Sequence, residues 1–198
     1  MARPASVTGR SVTGREAVRG DREAVRSDRK AVRGDRGAVR GDDFRTALAR
    51  HAAGVVVVTA LADAGPAGLT ATSFTSVSLD PPLVSFYVAQ SSTTLPQLRS
   101  ARGFAVNVLG HHQSELAARF AAKDVDRFAA PTRWHPGPDG EPLLDDAAVH
   151  LLCDWYATHA VGDHWLIIGQ VTGVVHGGPD AAPLLYHRGR FGRFHPHR

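Results

Sequence analysis

GLTATSFTSVSLDPPLVSF, residues 68 to 86, combines an extended segment, a hydroxyl cluster and a turn. Thr70, Thr72, Ser73, Thr75, Ser76 and Ser78 place six hydroxyls within nine residues, interleaved with apolar and aromatic side chains that favour an extended backbone. Asp80-Pro81-Pro82 then interrupts any ladder, because proline has no N–H to donate and its φ is preset for a turn. Leu83 to Val88 resumes with the period-two alternation of a sheet. The stretch therefore predicts a hairpin whose arms are Ala67 to Val77 and Leu83 to Val88.

Val55-Val56-Val57-Val58 is β-branched and apolar on both faces, as a strand inside a closed or covered sheet must be. Phe104 to Leu109 reads as another buried strand. VHLLCDWYATHAV and WLIIGQVTGVV flank Gly162-Asp163-His164, a turn that joins them as an antiparallel pair. Helices are few and short. Asp42 or Asp43 can cap one that carries Phe44, Leu48 and Ala52 and ends at Gly54. Thr93 to Ala101 reads as a second. Gln113 to Ala122 is a third, with Leu116 and Phe120 four apart on one face. Lys123 to Pro142 holds HPGPDG and little periodicity, the pattern of a long functional loop. Short strands separated by turn residues, with few helices, predict a mainly β chain of barrel or Greek-key type.

Composition narrows the function. A length of 198 residues with 43% apolar content suits one domain with a sizeable core. The formal charge of +4 invites nucleic acid, yet residues 1 to 43 hold 11 basic and 7 acidic side chains and the remainder 12 of each. The body is neutral, which leaves no electrostatic case for DNA or RNA. Cys153 is the single cysteine, so neither an intramolecular disulfide nor a thiolate metal cluster can form. Its apolar setting, LLCDW, is that of a small core residue. A reducing cytoplasm fits. No apolar run reaches the roughly 18 residues of a membrane span, and no secretory h-region follows Met1. GxSxG, HExxH, GxGxxG and P-loop signatures are all missing from the sequence. The pairs His111-His112 and His195/His197 read as solvated, with no metal site.

Residues 1 to 42 stand apart. REAVRGD, REAVRSD, RKAVRGD and RGAVRGD repeat with a period of seven, but each unit offers only an adjacent Ala-Val pair where a coiled-coil seam needs separated apolar positions. This is read as a mixed-charge disordered tail. The folded domain is expected over 43–198.

Four segments in order carry a resemblance: GLTATSFTSVSLDPPLVSF, SSTTLPQLRSARGFAVNVL, GDHWLIIGQV and LLYHRGRFGRF. Together they resemble the flavin reductase family of FMN-binding split β-barrel proteins, from about Phe44 to Phe194. The resemblance implies a split barrel of Greek-key type with a few short helices, NADH or NADPH as reductant, and FMN or alternatively FAD as flavin. It also implies a homodimer and a flavin-dependent monooxygenase as partner. It assigns Thr70, Ala71, Thr72 and Ser73 to the flavin ring edge and His164 to the nicotinamide side. Tyr186, Gly189, Arg190 and Phe191 would line the same pocket, with Phe191 standing where a Tyr is frequent.

The residues themselves allow more. Ser91, Ser92 and Thr93 precede a helix and can meet a phosphate with hydroxyls and free N–H groups, with Arg102 as countercharge and Phe104 nearby; Ser92 can equally be a plain N-cap. Hydride transfer needs no protein acid or base, so such residues act by holding the reactants together. A non-enzymatic flavin-binding or electron-carrier protein is the alternative reading, and a split barrel holding another cofactor is a third.

Overall fold

The computed structural model describes residues 39–177 and 182–197. Most of the repeat-bearing tail, residues 1 to 38, lies outside the described residues. The chain divides after Phe44, and the fold proper is Arg45–Arg198. Helix α1, Gly41–Leu48, spans that division and buries none of its side chains. It stops earlier than its sequence pattern suggests. Backbone bonds from Arg50 and His51 to carbonyls three residues back close it, so Ala52 lies beyond it and Gly54 belongs to strand β1, Ala53–Gly54.

The principal sheet has seven strands, all paired antiparallel. These are β2 (Val56–Ala62), β3 (Gly65–Ala71), β4 (Thr75–Leu79), β5 (Pro82–Ala89), β6 (Gly103–Val108), β9 (Val149–Val161) and β10 (His164–His176), in the order β3-β2-β6-β9-β10-β5-β4. The single hairpin arm expected over Ala67 to Val77 does not form. That stretch is two strands, broken at Thr72 to Phe74, with β3 on one edge of the sheet and β4 on the other. Only β4 and β5 form the hairpin across Asp80-Pro81.

This break fixes the curvature. Ala71 and Thr75 are four residues apart, a reach of at most about 14 Å. A flat seven-stranded sheet would separate its edges by about 29 Å. The sheet must therefore curl until its edges almost meet, yet β3 and β4 exchange no ladder bonds, so the barrel stays split. Ser73 lies at the split. Its Oγ accepts from Tyr87 N at 2.9 Å, continuing along β5 where β4 has ended.

The barrel interior holds Val56, Val58, Phe86, Val88, Leu98, Phe104, Val106 and Ile167. Phe104 meets Phe86 edge-on at 5.6 Å, and Gly169 makes room for it: a Cβ there would sit 2.4 Å from the ring. Val55 and Val57 face the other way, into a second cluster with Leu109, Ala117, Phe120, Leu144 and Leu184. That double burial explains the uninterrupted valine run. The second cluster is covered by helix α3 (Ser114–Ala121) and by a three-stranded sheet of β1, β11 (Leu184–His187) and β12 (Arg190–Arg193). Helix α2, Leu95–Ser100, puts Leu95 and Leu98 into the barrel. The stretch expected as an unbroken loop carries a small hairpin instead, β7 (Trp134–Pro136) with β8 (Pro142–Leu144).

Candidate functional site at the end of strand β5

Strand β5 runs out at Ala89, and three candidate segments gather there. On its β4 side, Ser73 is bonded to the Tyr87 backbone. On its β10 side, Ala89 pairs directly with His164. Ahead of it, Gln90 N donates to Asp163 O at 2.9 Å and Gln90 Nε2 to Gly162 O at 3.2 Å, which joins the Gly162-Asp163 turn to the segment carrying Ser91, Ser92 and Thr93. Ser73 and His164 are thus separated by one strand and two residues, on the order of 10 Å.

His164 is half-exposed, and its Nδ1 lies 2.6 Å from Asp163 Oδ1. The hydrogen bond to His164 is the main reason the Asp163 carboxyl stays below the usual carboxylate range, its charge adding to the effect. With Nδ1–H given to the carboxylate, Nε2 is the nitrogen left for a ligand. Thr70 is turned away from the split. Its hydroxyl donates to Ala117 O of α3 at 2.7 Å, so it can offer a ligand only a lone pair. Ala71 is buried, Thr72 is exposed at the break, and both contribute through backbone or tip atoms. Gly68 lies close against Phe120, which would be 2.8 Å from an added Cβ. The N-cap of α2 is Thr94 rather than Ser92, but Ser92 Oγ accepts from Leu95 N at 3.3 Å while its own proton remains to be donated.

One residue that the sequence did not single out ties these pieces together. Arg127 donates through Nη1 to Gly68 O at 2.9 Å and to Thr94 Oγ1 at 2.7 Å, and through Nη2 to Ala122 O at 2.6 Å. It clamps β3, the start of α2 and the end of α3. Burial lowers its pKa, but a guanidinium stays charged at any working pH. Its neighbour Phe128, which stacks edge-on with Phe120 and Trp134, was the available signal that this loop packs inward.

A family model described as a flavin reductase like domain matches residues 48–195. This chain belongs to the flavin reductase family. Among its relatives, an NADH:FMN oxidoreductase of Rhodococcus erythropolis is 46% identical over 155 residues, covering 76% of this chain and 80% of that protein. The flavin-dependent monooxygenase reductase subunit HsaB of Rhodococcus jostii is 35% identical, covering 77% of each. The NADH:FAD oxidoreductase SgcE6 of Streptomyces globisporus, solved with NAD and FAD fragments, superposes with a TM-score of 0.73 at 36% identity, over 81% of this chain and 98% of that one.

Within this flavin reductase, other expected site residues lie elsewhere. Phe104 is 1% exposed and wedged between Phe86 and Trp155, so its ring serves the core and not a ligand. Arg102 follows the C-terminal end of α2, while Ser92 stands before its N-terminal end. Arg102 instead borders a small cleft with Asp139, Glu141 and Asp154. Tyr186 and Phe191 meet edge-on at 5.4 Å on the β11–β12 hairpin, with Phe191 packed on the second cluster. Gly189, at φ 76°, belongs to the hairpin turn. Among the described residues, no hydrogen bond or ring contact links this hairpin to His164. Cys153 is buried, and burial, with the Asp154 charge second, pushes its thiol up to about 12, which leaves it inert.

Proposed function

We propose that this chain is an NADH-dependent flavin reductase that passes reduced flavin to a flavin-dependent monooxygenase. The observation that carries the reading is the convergence of Ser73, Ser91 to Thr93 and His164 on the end of β5, in a chain of this family. Hydroxyl and backbone donors of Thr72, Ser73, Ser91 and Ser92 suit a flavin's polar edge and phosphate. His164 is half-exposed with Nδ1 held by Asp163, and through Nε2 it would orient the nicotinamide. The bound nucleotides supply hydride transfer; the protein's part is to hold them in register and exclude water.

The partner reading draws on relatives named as monooxygenase reductase subunits. A nicotinamide-dependent reductase works where reduced nucleotide is kept, so the cytoplasm is its proposed location; among the described residues no helix is long and apolar enough to cross a membrane. We also read the chain as a homodimer. The face that bears His164 carries Ala89, Tyr87, Leu166, Val161 and Ile168 in adjoining pairs, and Tyr87 and Val161 are 42% and 49% exposed. A second copy is the natural cover for such a face.

The test is flavin titration by fluorescence, followed by NADH consumption with FMN under anaerobic conditions. Saturable flavin binding with flavin-dependent loss of nicotinamide absorbance is expected. Neither signal appearing would remove the assignment.

A further inference from the structure

From Ala182 to His197 the chain carries three arginines, three histidines and no side-chain carboxylate. Strands β11 and β12 turn back through Arg188 and Gly189, at φ 51° and 76°, and their pairing sorts the side chains onto two faces. Leu184, Tyr186, Phe191 and Arg193 alternate with Leu185, His187, Arg190 and Gly192. On the second face Gly54, Leu185 and Gly192 stand side by side across three strands, so a single side chain rises from that row. A Cβ added at Gly54 or at Gly192 would meet nothing within 4 Å. The row is therefore a shelf, and its Leu185 and Gly192 line an open depression of about 700 Å³ whose rim includes His187, Arg188, Arg190 and Arg193.

Among the described residues, none of the three arginines pairs with a carboxylate. Unneutralised guanidinium groups beside an apolar shelf suit a flat ring that carries phosphates, since guanidinium forks match phosphate oxygens and Leu185 offers a ring one clear surface. The volume lies within the range of small-ligand sites. We propose that this shelf is a binding site for an adenosine diphosphate group, its ring over Leu185 between Gly54 and Gly192 and its phosphates against Arg188 and Arg190. The proposal rests on the reductase reading above, because NADH and FAD both contain that group and FMN does not.

Calorimetric titration of the full chain with ADP, without flavin, reads the site independently of turnover. Saturable binding is expected, weakened at least tenfold by Gly192→Leu, whose Cβ would meet nothing within 4 Å, and by Arg190→Gln. Steady-state kinetics of the same variants separate the sources. A raised KM for NADH with FMN as acceptor assigns the shelf to the nicotinamide dinucleotide; a raised KM for FAD with that for FMN unchanged assigns it to the flavin dinucleotide. Absence of ADP binding, or ADP binding that both variants leave intact, would overturn the site. ADP binding at the shelf in a chain that fails to oxidise NADH would instead sink the reductase reading and leave the site standing.

Discussion

Asn107 shows how one residue sets its surroundings. Its amide donates to Val57 O at 3.0 Å and to Thr59 Oγ1 at 2.9 Å, while its Oδ1 accepts from Leu144 N and from His150 Nδ1. The buried amide is thereby satisfied at every site, and His150, 3% exposed, is held as the Nδ1–H tautomer. Burial is the main cause that pushes the pKa of His150 down, with His135 adding to it and Asp145 opposing it. A folded pKa below the unfolded value of about 6.5 means that the unfolded chain binds the proton more readily. The contribution of His150 to stability is thus full above about pH 6.5 and is lost as pH falls through the folded pKa. Thermal melts from pH 7.5 to 5 should fall in stability by at most about 1.4 kcal/mol per pH unit from this group. In His150→Asn, which keeps a donor but cannot titrate, that part of the slope should vanish; an unchanged slope would exonerate His150. At the proposed site, His164→Ala should slow flavin reduction about 10- to 100-fold in stopped flow at saturating flavin while flavin affinity moves less than about twofold. Thr72→Val should do the reverse. Equal losses in both measurements for His164→Ala would place it in flavin binding. His164 was singled out only by the family resemblance, since a place after a turn between two strands does not distinguish it from the ten other histidines. For Phe104, an aromatic in a buried strand and one beside a ligand look alike in sequence, and its packing on Phe86 and Trp155 is visible only in the fold.

At the scale of elements, alternation and turn chemistry made most strands readable: β2, β5, β6 and the long pair β9 and β10 lie where their apolar patterns put them. The split between β3 and β4 was not readable, since an unbroken run of extended-favouring residues carries no mark of which edge each half will join. The clamp of Arg127 was hidden for a related reason. Its partners Thr94 and Gly68 lie 33 and 59 residues away, beyond any local pattern. Because it ties the β3 and α2 segments that flank the proposed flavin site, Arg127→Lys should loosen that geometry: a lysine is a compact point charge and cannot fork to three acceptors. Flavin KM should rise about tenfold with kcat at saturating flavin little altered, and added guanidinium should restore part of the loss. Unchanged flavin KM in a folded Arg127→Lys protein would reduce the clamp to a packing role.

For the whole molecule, a neutral body and an apolar outer sheet face point the same way, toward self-association over charge-driven contact. The pairs Tyr87 with Leu166 and Ala89 with His164 put the uncovered apolar face and the proposed nicotinamide residue side by side. A second copy seated there would shield His164 from water as it buried Tyr87 and Val161, so assembly and turnover should fail together. Light scattering at micromolar concentration should give twice the chain mass of 21.1 kDa. Leu166→Lys, which sets a charge in the middle of that face, should yield a folded monomer with NADH turnover reduced about tenfold or more, as loss of a water-excluding wall weakens reactant alignment. Val125→Lys, at an exposed apolar position in the loop after α3, serves as the control and should remain dimeric and active. A wild-type monomer with full turnover would refute the arrangement, and a dimeric Leu166→Lys protein would move the interface to another face.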